Sequence, residues 1–408
     1  MKREKEKNFF EGELAPIILF TYNRLKHTQQ TIEALQKNKY AMESHIYIYS
    51  DAAKNEEGKE AVYAVRQYLR SITGFNKIEI IERNENWGLA KNIIDGVTKI
   101  VNKYGKIIVL EDDIITSENF LMYMNDALEI YQDEKKVMQI SGNTYPVDKK
   151  DLPETFFTTI GQCWGWATWT DRWAYFKRNP EELVTNYDVN TIRKFVESGV
   201  PSVWDQVHTN SEGKLYTWAC FFHNTIFQQK GLVLNAKNSL AINIGFDGSG
   251  AHCELGNRYH TMLSTTAISF FPTELYVRED VKKAFRNFFY REEAELFQFV
   301  QKYKLIICYG AGNDGKYIKK FLQMHNIKIM AFVVSDNQEC QTMDDEIPVI
   351  NLSNLPFSRD YGIILSLSRR FHISIKKELS SRNYFNTYSI SDELLSIAKN
   401  EVDYFFDE

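Results

Sequence analysis

Cysteine is scarce in this sequence, and long apolar runs are missing from it. The five cysteines show no metal-type pairing, so we expect reduced thiols, as in a cytoplasmic protein. They are Cys163, Cys220, Cys253, Cys308 and Cys340. No apolar run approaches the roughly 18 residues of a membrane-spanning helix. The charged start, Met1 to Lys7, has no apolar stretch and does not predict a secretory signal.

An excess of positive charge is also missing. The 408 residues carry 49 Lys and Arg against 54 Asp and Glu, a net charge of -5, which argues against general nucleic-acid binding. Hydrophobic residues at 44% and charged residues at 25% are typical of a globular protein, and the length suits two or three domains. Aromatic residues are plentiful at 14%, and aromatic faces suit sugar rings.

The first 145 residues alternate between short apolar runs and amphipathic stretches. The apolar runs predict four strands, at 17–20, 45–49, 78–81 and 107–110. The amphipathic stretches predict helices at 28–35, 60–72 and 89–104. Alternation of this kind indicates an α/β fold, in which a mostly parallel sheet carries helices on both faces.

The remainder divides into three parts. Residues 146–275 lose the alternation and complete a first domain of residues 1–275. The stretch 276–303 predicts one connecting helix, whose aromatic stripe packs on a domain or lies on a membrane surface. Residues 304–408 begin a second, small α/β domain, with strands near 305–309, 328–334, 362–366 and 386–390.

Three carboxylates directly follow the fourth apolar run. Glu111, Asp112 and Asp113 come after Leu110, at the carboxyl end of a buried strand. Like charges this close raise one another's pKa, and a divalent cation removes that cost. Ligands in open α/β sheets also bind outside the carboxyl ends of strands. The triplet is therefore a candidate site for a metal and a diphosphate; the alternative is an acidic surface turn.

Polar residues end the other three strands of the same sheet. They are Thr21 to Arg24, Ser50 and Asp51, and Glu82 to Asn84. Because the carboxyl ends of parallel strands share one edge, these groups should face the same crevice as the triplet. An acid near a base or ribose, an arginine near phosphate and an acid on a metal together predict a nucleotide-diphosphate site.

The order of these segments resembles a known family. Phe-Thr-Tyr-Asn-Arg at 20–24, Tyr-Ser-Asp at 49–51, Asn-Trp-Gly-Leu-Ala at 86–90 and Val-Leu-Glu-Asp-Asp at 109–113 are similar to the nucleotide-sugar half of GT-A glycosyltransferases. The likeness is to the N-acetylglucosaminyltransferase I-like branch and its bacterial polysaccharide relatives. Gly161 to Trp169 and Asn243 to Cys253 extend the resemblance to about 15–255.

The resemblance implies roles at the donor site. Asp113 would bind Mn²⁺ or Mg²⁺, which favours carboxylate oxygens. Asp112 and Glu111 would bind the ribose, the sugar hydroxyls or the groups that surround the metal's ligands. Asp51 would contact the base or the ribose. The other implied donor-binding residues are Thr21, Tyr22, Asn23, Arg24, Arg83, Asn86, Gly88, Leu89 and Lys91.

The catalytic base and the acceptor site are less defined. Relatives place an acid before a Trp-containing helix, but Leu215 to Ala219 contains none, so we take Asp205 as the base, with Asp247 and Glu254 as alternatives. His252 either reaches the phosphates and metal or is structural, and Asp247 is also a turn signal. Trp164, Gly165 and Trp166 form an acceptor platform or belong to an aromatic core.

A second glycine-rich element lies in the carboxy-terminal domain. Gly310, Gly312 and Gly315 follow a strand and open a helix, the context of a dinucleotide-type phosphate loop. Asp336 lies where a ribose-binding acid would sit. The element resembles Rossmann-like domains appended to bacterial sugar-modifying enzymes, which bind nucleotides or mediate assembly.

These observations together predict a metal-dependent glycosyltransferase. It would move a sugar from a nucleoside diphosphate, most simply UDP, to a hydroxyl of a bacterial lipopolysaccharide or capsule glycan. A lipid-linked acceptor would bring a cytoplasmic enzyme to the inner membrane face, and the appended domain suits a homodimer. The alternatives are a non-catalytic nucleotide- or glycan-binding subunit and a nucleotidyltransferase. The sugar, the linkage and the stereochemical outcome are open.

Overall fold

The computed structural model describes residues 12–247, 258–336, 338 and 347–405. The chain forms two compact units. The first comprises the residues up to 185 together with 206–285, and the second comprises 186–205 together with the residues from 286 onward. The second unit is therefore built from two separate stretches of chain.

The first unit is organised around a large mixed sheet with a small second sheet beside it. Its strands are β1 (Ile17–Thr21), β2 (His45–Ser50), β3 (Lys77–Glu82), β4 (Lys106–Glu111), β5 (Ile114–Thr116), β6 (Val137–Ser141), β7 (Thr155–Thr158), β8 (Trp166–Trp169), β9 (Leu232–Ala236) and β10 (Ala241–Asn243). The large sheet has the order β3-β2-β1-β4-β8-β6-β9-β7. Strands β1 to β4 pair in parallel, whereas β8 runs antiparallel to both β4 and β6. The four strands predicted from the apolar runs are confirmed.

Helices cover both faces of this sheet. The helices that lie wholly or mostly in the first unit are α1 (Leu25–Gln36), α2 (Lys59–Leu69), α3 (Leu89–Tyr104), α4 (Phe120–Ile130), α5 (Thr170–Trp173), α6 (Pro180–Asn186), α8 (Val203–Ser211), α9 (Ala219–Gln228) and α10 (Glu279–Phe289), whereas α7 (Val189–Glu197) belongs to the second unit. Helix α3 buries its apolar face in the core that also contains Phe20 and Trp166, and it ends at Gly105, a left-handed C-cap. The predicted α/β class, with a mostly parallel sheet and flanking helices, is confirmed.

The small sheet was not predicted from the sequence. It pairs β5, immediately after the acidic triplet, with β10 in antiparallel fashion, Ile114 opposite Asn243. Each strand has three residues, and more than a hundred residues separate them along the chain. No local periodicity in the sequence predicts such a pairing. The pairing of β5 with β10 nevertheless places residues 243–247 against the end of β4.

Helix α4 carries a buried carboxyl group that the acidic triplet does not include. Asp126 is 2% exposed, and its Oδ1 atom has no hydrogen-bond partner within the described parts of the chain. Burial raises the pKa of Asp126 to about 6. Between its unfolded pKa near 4 and about 6, the folded state therefore holds a proton that the unfolded state has lost.

We expect the Asp126→Asn variant to unfold at a higher temperature than the wild type at pH 7. The carboxylate is ionised there and inadequately solvated, at a cost of about 1–3 kcal/mol. Because this penalty fades as the pH falls through 6 towards 4, the advantage should disappear by about pH 4. Melting curves from pH 4 to 8 measure it, with exposed Asp133→Asn as the control. An advantage independent of pH would contradict the assignment.

The second unit contains a fully parallel sheet of five strands. They are β11 (Leu305–Tyr309), β12 (Ile329–Val334), β13 (Val349–Asn351), β14 (Tyr361–Leu365) and β15 (Thr387–Ser389), in the order β13-β12-β11-β14-β15. Its further helices are α11 (Arg291–Val300), α12 (Asn313–Met324), α13 (His372–Ser381) and α14 (Asp392–Asn400). This order is that of a doubly wound sheet, with its switch point between β11 and β14. The predicted second α/β domain is thus present.

The region between the predicted domains differs from the expectation. The sequence predicts one helix over 276–303, but the structure has two, α10 and α11, separated at Tyr290. Most of the apolar stripe is buried, including Val281, Phe285 and Leu296. The packed interpretation of this stripe is therefore correct. Residues 186–205, which we assigned to the first domain, cluster with the second unit.

Among the residues that the structure describes, no helix combines the length and the apolar character that crossing a bilayer requires.

Candidate active site

The acidic triplet lies at the carboxyl end of β4, as the sequence predicts. Asp112 and Asp113 are only 4% and 5% exposed, and Glu111 ends the strand. Burial, followed by the charges of Asp113 and Asp112, raises the pKa of Glu111 well above its usual range. Burial is also the main cause that raises the pKa of Asp112 to about 6, although the guanidinium of Arg24 opposes it. The structure thus rejects the alternative of a solvated acidic turn.

An arginine bridges two of these carboxylates. Arg24 Nη2 donates to Asp112 Oδ1 and, at 2.8 Å, to Asp113 Oδ2. Burial alone would lower the pKa of Arg24, but Asp112 and Asp113 raise it above its ordinary value. Arg24 is the residue just before α1 and is brought to the triplet by the adjacent strands β1 and β4. A fixed cation thereby offsets part of the repulsion within the triplet.

Two polar atoms at this site remain without partners. Asp113 Oδ1 and Arg24 Nη1 are both buried, and neither forms a hydrogen bond to any residue that the structure describes. Buried polar atoms are nearly always paired in folded proteins. An unpaired carboxylate oxygen suits a cation, and an unpaired guanidinium nitrogen suits an anion such as phosphate.

The loop after β10 covers Asp113. Ile244 N donates to the main-chain oxygen of Asp113 at 2.9 Å. A Cβ atom at Gly245 would lie 2.3 Å from Asp113 Oδ2, so a larger residue here would displace the carboxylate or the loop. Asp247, in the same loop, pairs with His27 of α1, with 3.2 Å between Oδ2 and Nε2. The structure therefore brings Asp247 to the loop over the triplet, together with His27, which the sequence did not single out.

The described residues do not by themselves form a complete cation cage. Within 12–247, 258–336, 338 and 347–405, no group of three or more His, Cys, Asp or Glu side chains could hold a metal ion. His252, a predicted metal ligand, lies outside these ranges, as do Cys253 and Glu254. Mg²⁺-type ions are usually held by one or two carboxylates, with phosphates and waters completing the shell. The unpaired oxygen of Asp113 fits that arrangement.

Asp51 is fully engaged with the chain itself. Its Oδ1 accepts from the main-chain nitrogens of Ala52 and Trp87, both at 2.9 Å. Its Oδ2 accepts from Asn86 Nδ2 at 3.1 Å and from Gly88 N at 2.9 Å. These bonds fix the turn before α3, so Asp51 positions the loop rather than presenting a free carboxylate to a base or ribose.

Gly88 completes this turn. Its φ of +72° lies in the left-handed region, which favours glycine, and Leu89 then begins α3 with 40% of its surface exposed.

Arg83 is likewise held by the protein, because its Nε donates to Asn92 at 2.9 Å and its Nη2 to Asp95 at 2.5 Å. Its guanidinium therefore stabilises the position of α3, whereas the sequence predicts a contact with the nucleotide-sugar donor.

Three further predicted donor-site residues lie at the end of β1 and in the connection to α1. Tyr22 N donates to Asp112 Oδ2 at 3.3 Å, and Tyr22 Oη accepts from Lys54 N at 3.2 Å. Thr21 is buried, with its hydroxyl on the main chain of β2, while Asn23 is partly exposed. No glycine-rich loop separates β1 from α1, which is the element that a nucleotidyltransferase would require.

The predicted acceptor platform divides into two parts. Trp166 is completely buried and stacks on Trp218, with ring centroids 5.1 Å apart. It belongs to the core, so its assignment to the acceptor site is wrong. Gly165 is also structural, because a Cβ there would lie 2.9 Å from Ala241. Trp164 is only partly buried and meets Phe246 edge to face at 5.5 Å, next to the loop that covers Asp113.

Asp205, the predicted base, stays a prediction. It belongs to the second unit, whereas the triplet belongs to the first. Its charge contributes to raising the pKa of Tyr317 and of Tyr404, which are members of that second unit. Nothing in the first unit's geometry assigns it a role at the triplet.

The glycine-rich loop of the second unit is explained by packing. A Cβ at Gly315 would come within 2.1 Å of the main-chain oxygen of Gly310, so α12 sits directly on the end of β11. Gly312 is the N-cap of α12. Asp336 accepts from Ser353 N at 2.7 Å and from Arg382 Nη2 at 2.8 Å, and it offers no free carboxylate to a ribose.

Comparison with known proteins bears on the first unit. Residues 17–177 match the model of glycosyl transferase family 2. This match includes β1 to β4 and the acidic triplet. No curated protein matches the chain.

Three solved structures illustrate how distant the structural likenesses are. A mannosyltransferase of Pyrobaculum calidifontis, in complex with GDP-Man and Mn²⁺, has 13% identity and a TM-score of 0.27 over 38% of this chain and 44% of its own. TarS of S. aureus has 14% identity and a TM-score of 0.24, over 35% and 23%. A UDP-glucose pyrophosphorylase complexed with UDP-glucose has 10% identity and a TM-score of 0.29, over 55% and 90%.

The chain spans less than half the length of the first two of these proteins. Scores this low carry no argument about function, so the assignment rests on the family model. Residues 17–177, which include the acidic triplet at the end of β4, are therefore similar to a glycosyl transferase family 2 domain.

Proposed function

We propose that this chain transfers a sugar from a nucleoside diphosphate to a hydroxyl of a glycan, with a divalent cation at the acidic triplet. The observation that carries the proposal is a pair of buried atoms, Asp113 Oδ1 and Arg24 Nη1, that form no hydrogen bond to the part of the chain that the structure describes. One offers an anionic ligand and the other a cationic hydrogen-bond donor, side by side at the carboxyl edge of the sheet. A metal-bound diphosphate satisfies both.

Asp113, with Asp112 beside it, would hold Mn²⁺ or Mg²⁺. Such an ion neutralises the charge that develops on the leaving diphosphate. Arg24 would keep its Nη2 on the two carboxylates, where it already lies, and donate from Nη1 to a phosphate oxygen. Its donor role would therefore need no rearrangement of the bridge.

Asp247 is the carboxylate that we assign to the acceptor. Its side chain is 50% exposed, and its loop covers Asp113. The contact with His27 holds it in place, so it would accept the proton of the attacking hydroxyl. This reverses the order expected from the sequence, in which Asp205 came first.

The finer identity of the substrates follows from the sequence resemblance. UDP is the proposed nucleotide, and a lipopolysaccharide or capsule glycan, free or lipid-linked, is the proposed acceptor. The same resemblance carries the proposals of a bacterial, cytoplasmic enzyme with peripheral contact at the inner membrane face. A homodimer through the second unit is likewise a proposal.

The test is a titration of the full-length protein with UDP-, GDP-, CMP- and dTDP-sugars, each with Mn²⁺ and with chelator. We expect one nucleotide class to raise the melting temperature in a manganese-dependent way, because a ligand of the native state stabilises it by mass action. A steady release of nucleoside diphosphate from that donor separates an enzyme from a non-catalytic binding subunit. If none of the four classes binds, the proposal fails.

A further inference from the structure

A concave region of the first unit is lined by residues outside the acidic triplet. It is a groove of about 780 Å³ on the solvent side of α3, lined chiefly by Asn86, Trp87, Lys91, Ile94, Thr98 and Tyr216. We call it the α3 groove. Its volume is that of a small-molecule binding site. We propose that the α3 groove binds a saccharide segment of the acceptor glycan, a role that rests on the proposed function.

The Trp87 ring, which lines the groove, is held in place by a contact of one ring face with the protein. The guanidinium of Arg83 stacks 3.8 Å from the centroid of the Trp87 ring. Arg83 is itself immobilised by Asn92 and Asp95 of α3. The main-chain nitrogen of Trp87 donates to Asp51. One face of the indole is thus occupied by protein, and the ring's position is set before any ligand arrives.

Tyr216, the other aromatic residue on the lining, is supported in the same way. Tyr216 is 50% exposed, and the guanidinium of Arg178 stacks 3.6 Å from its ring centroid. Arg178 Nε donates to the main-chain oxygen of Thr217 at 2.9 Å, and its Nη2 donates to Asn210 Oδ1 at 2.7 Å. A solvent-exposed tyrosine rarely needs such support for folding. Rigid aromatic surfaces bind with less loss of side-chain entropy.

The charges around the groove favour a neutral ligand. Glu85 and Asp95 on its lining are matched by Lys91 and Lys99, so the acidic and basic groups balance. Asp95 and Lys99 also pair with each other at 2.9 Å. A nucleoside diphosphate carries several negative charges and would gain little here. Hydroxyl groups, in contrast, can donate to the carboxylates and accept from the ammonium and amide groups.

Two aromatic rings with polar groups between them match the chemistry of a sugar. A pyranose presents a face of C–H groups, which pack on the negative face of an aromatic ring, and a rim of hydroxyl groups. The groove is open to solvent along its length, as an extended glycan would require. One end of the groove adjoins the Asp51-anchored turn, which follows β2 and β3 at the carboxyl edge of the sheet where the triplet also lies, and this position suits the acceptor rather than an unrelated ligand.

Saturation-transfer NMR with the full-length protein tests this inference without nucleotide. The probes are N,N′-diacetylchitobiose, lactose and methyl α-mannoside, with UMP as the competing ligand class. We expect at least one sugar to bind the wild type and to bind Tyr216→Ala about tenfold more weakly, since an aromatic contact contributes on that scale. Tyr216→Phe should retain binding. The control is Tyr63→Ala, which removes a tyrosine of α2 that is 62% exposed.

Each result decides the matter. If no sugar binds, or if Tyr216→Ala and Tyr63→Ala behave alike, the inference is overturned. If UMP binds and Tyr216→Ala weakens it, the groove belongs to the donor's base and the inference is also overturned. Manganese-dependent nucleotide binding, measured separately, should survive Tyr216→Ala. If the wild type showed no manganese-dependent nucleotide binding, the proposed function would be wrong, but the result on saccharide binding would remain valid.

Discussion

Replacing Asp113 by asparagine should abolish manganese-dependent binding of the donor nucleotide. The amide keeps the shape of the side chain but removes the negative charge from Asp113 Oδ1, which has no hydrogen-bond partner among the described residues. Lewis-acid stabilisation by a bound cation contributes several kcal/mol. We therefore expect affinity for nucleotide with Mn²⁺, and turnover with it, to fall at least about a hundredfold. Isothermal titration of UDP with and without Mn²⁺ measures the affinity.

The matched control for this variant is Glu118→Gln. Glu118 is exposed and follows the triplet by only five residues, so the change removes a nearby charge without touching the buried cluster. The melting temperature of metal-free Asp113→Asn should stay close to that of the wild type, since Arg24 keeps its bond to Asp112. Unchanged affinity for nucleotide and Mn²⁺ in Asp113→Asn would show that the cation, if any, binds elsewhere.

Replacing Arg24 by glutamine should have the largest effect on stability. The guanidinium is the only cation that the structure shows bonded to Asp112 and Asp113 among its described residues, and both carboxylates are almost fully buried. Removing one partner of a buried ion pair leaves uncompensated charge and costs about 3–5 kcal/mol. Urea denaturation of the metal-free proteins measures this loss.

Arg70→Gln provides the comparison. Arg70 also forms an ion pair, with Glu82 at 2.7 Å, but its side chain is 49% exposed, so we expect a loss below about 1 kcal/mol. Added Mn²⁺ should restore part of the stability of Arg24→Gln and little of that of Arg70→Gln, because a bound cation takes over the lost charge. Equal losses in the two variants would mean that the triplet is solvated rather than buried.

The sequence located the triplet because its signal is local. An apolar run of strand length followed by three acids specifies both the strand and the edge at which it ends. The same logic predicted β1 to β3, and these predictions are confirmed. Alternation of strands and helices then indicated the parallel arrangement, which depends on connection lengths rather than on distant contacts.

The arrangement within the site depends on contacts that no local pattern encodes. Arg24 and Asp112 are 88 residues apart, and Asp51 is bonded to a turn 35 or more residues later. A sequence shows that an arginine and an aspartate follow strands, but not that their side chains are already paired. The sequence consequently predicts ligand contacts for Asp51 and Arg83, whereas the structure shows their side chains bonded within the protein.

The tryptophans show a second limit of sequence reasoning. Trp164 and Trp166 differ by two positions, and both adjoin Gly165. The structure buries one in the core and leaves the other partly exposed. Which tryptophan is buried depends on the pairing of β8 between β4 and β6, and this antiparallel insertion has no signature in the hydrophobic pattern.

The two-part composition of the second unit limits how this protein can be rearranged. The main chain crosses between the units three times, and Asn400 donates to the main-chain oxygen of Pro201 across 199 residues. A single cut near residue 285 would leave residues 186–205 behind, with buried Phe195 and Trp204 stripped of the contacts made by the later stretch. Recombination at one junction therefore cannot exchange the carboxy-terminal module intact. The two stretches must be inherited together. We therefore expect substitutions in residues 186–205 to be constrained by the residues from 286 onward that pack on them.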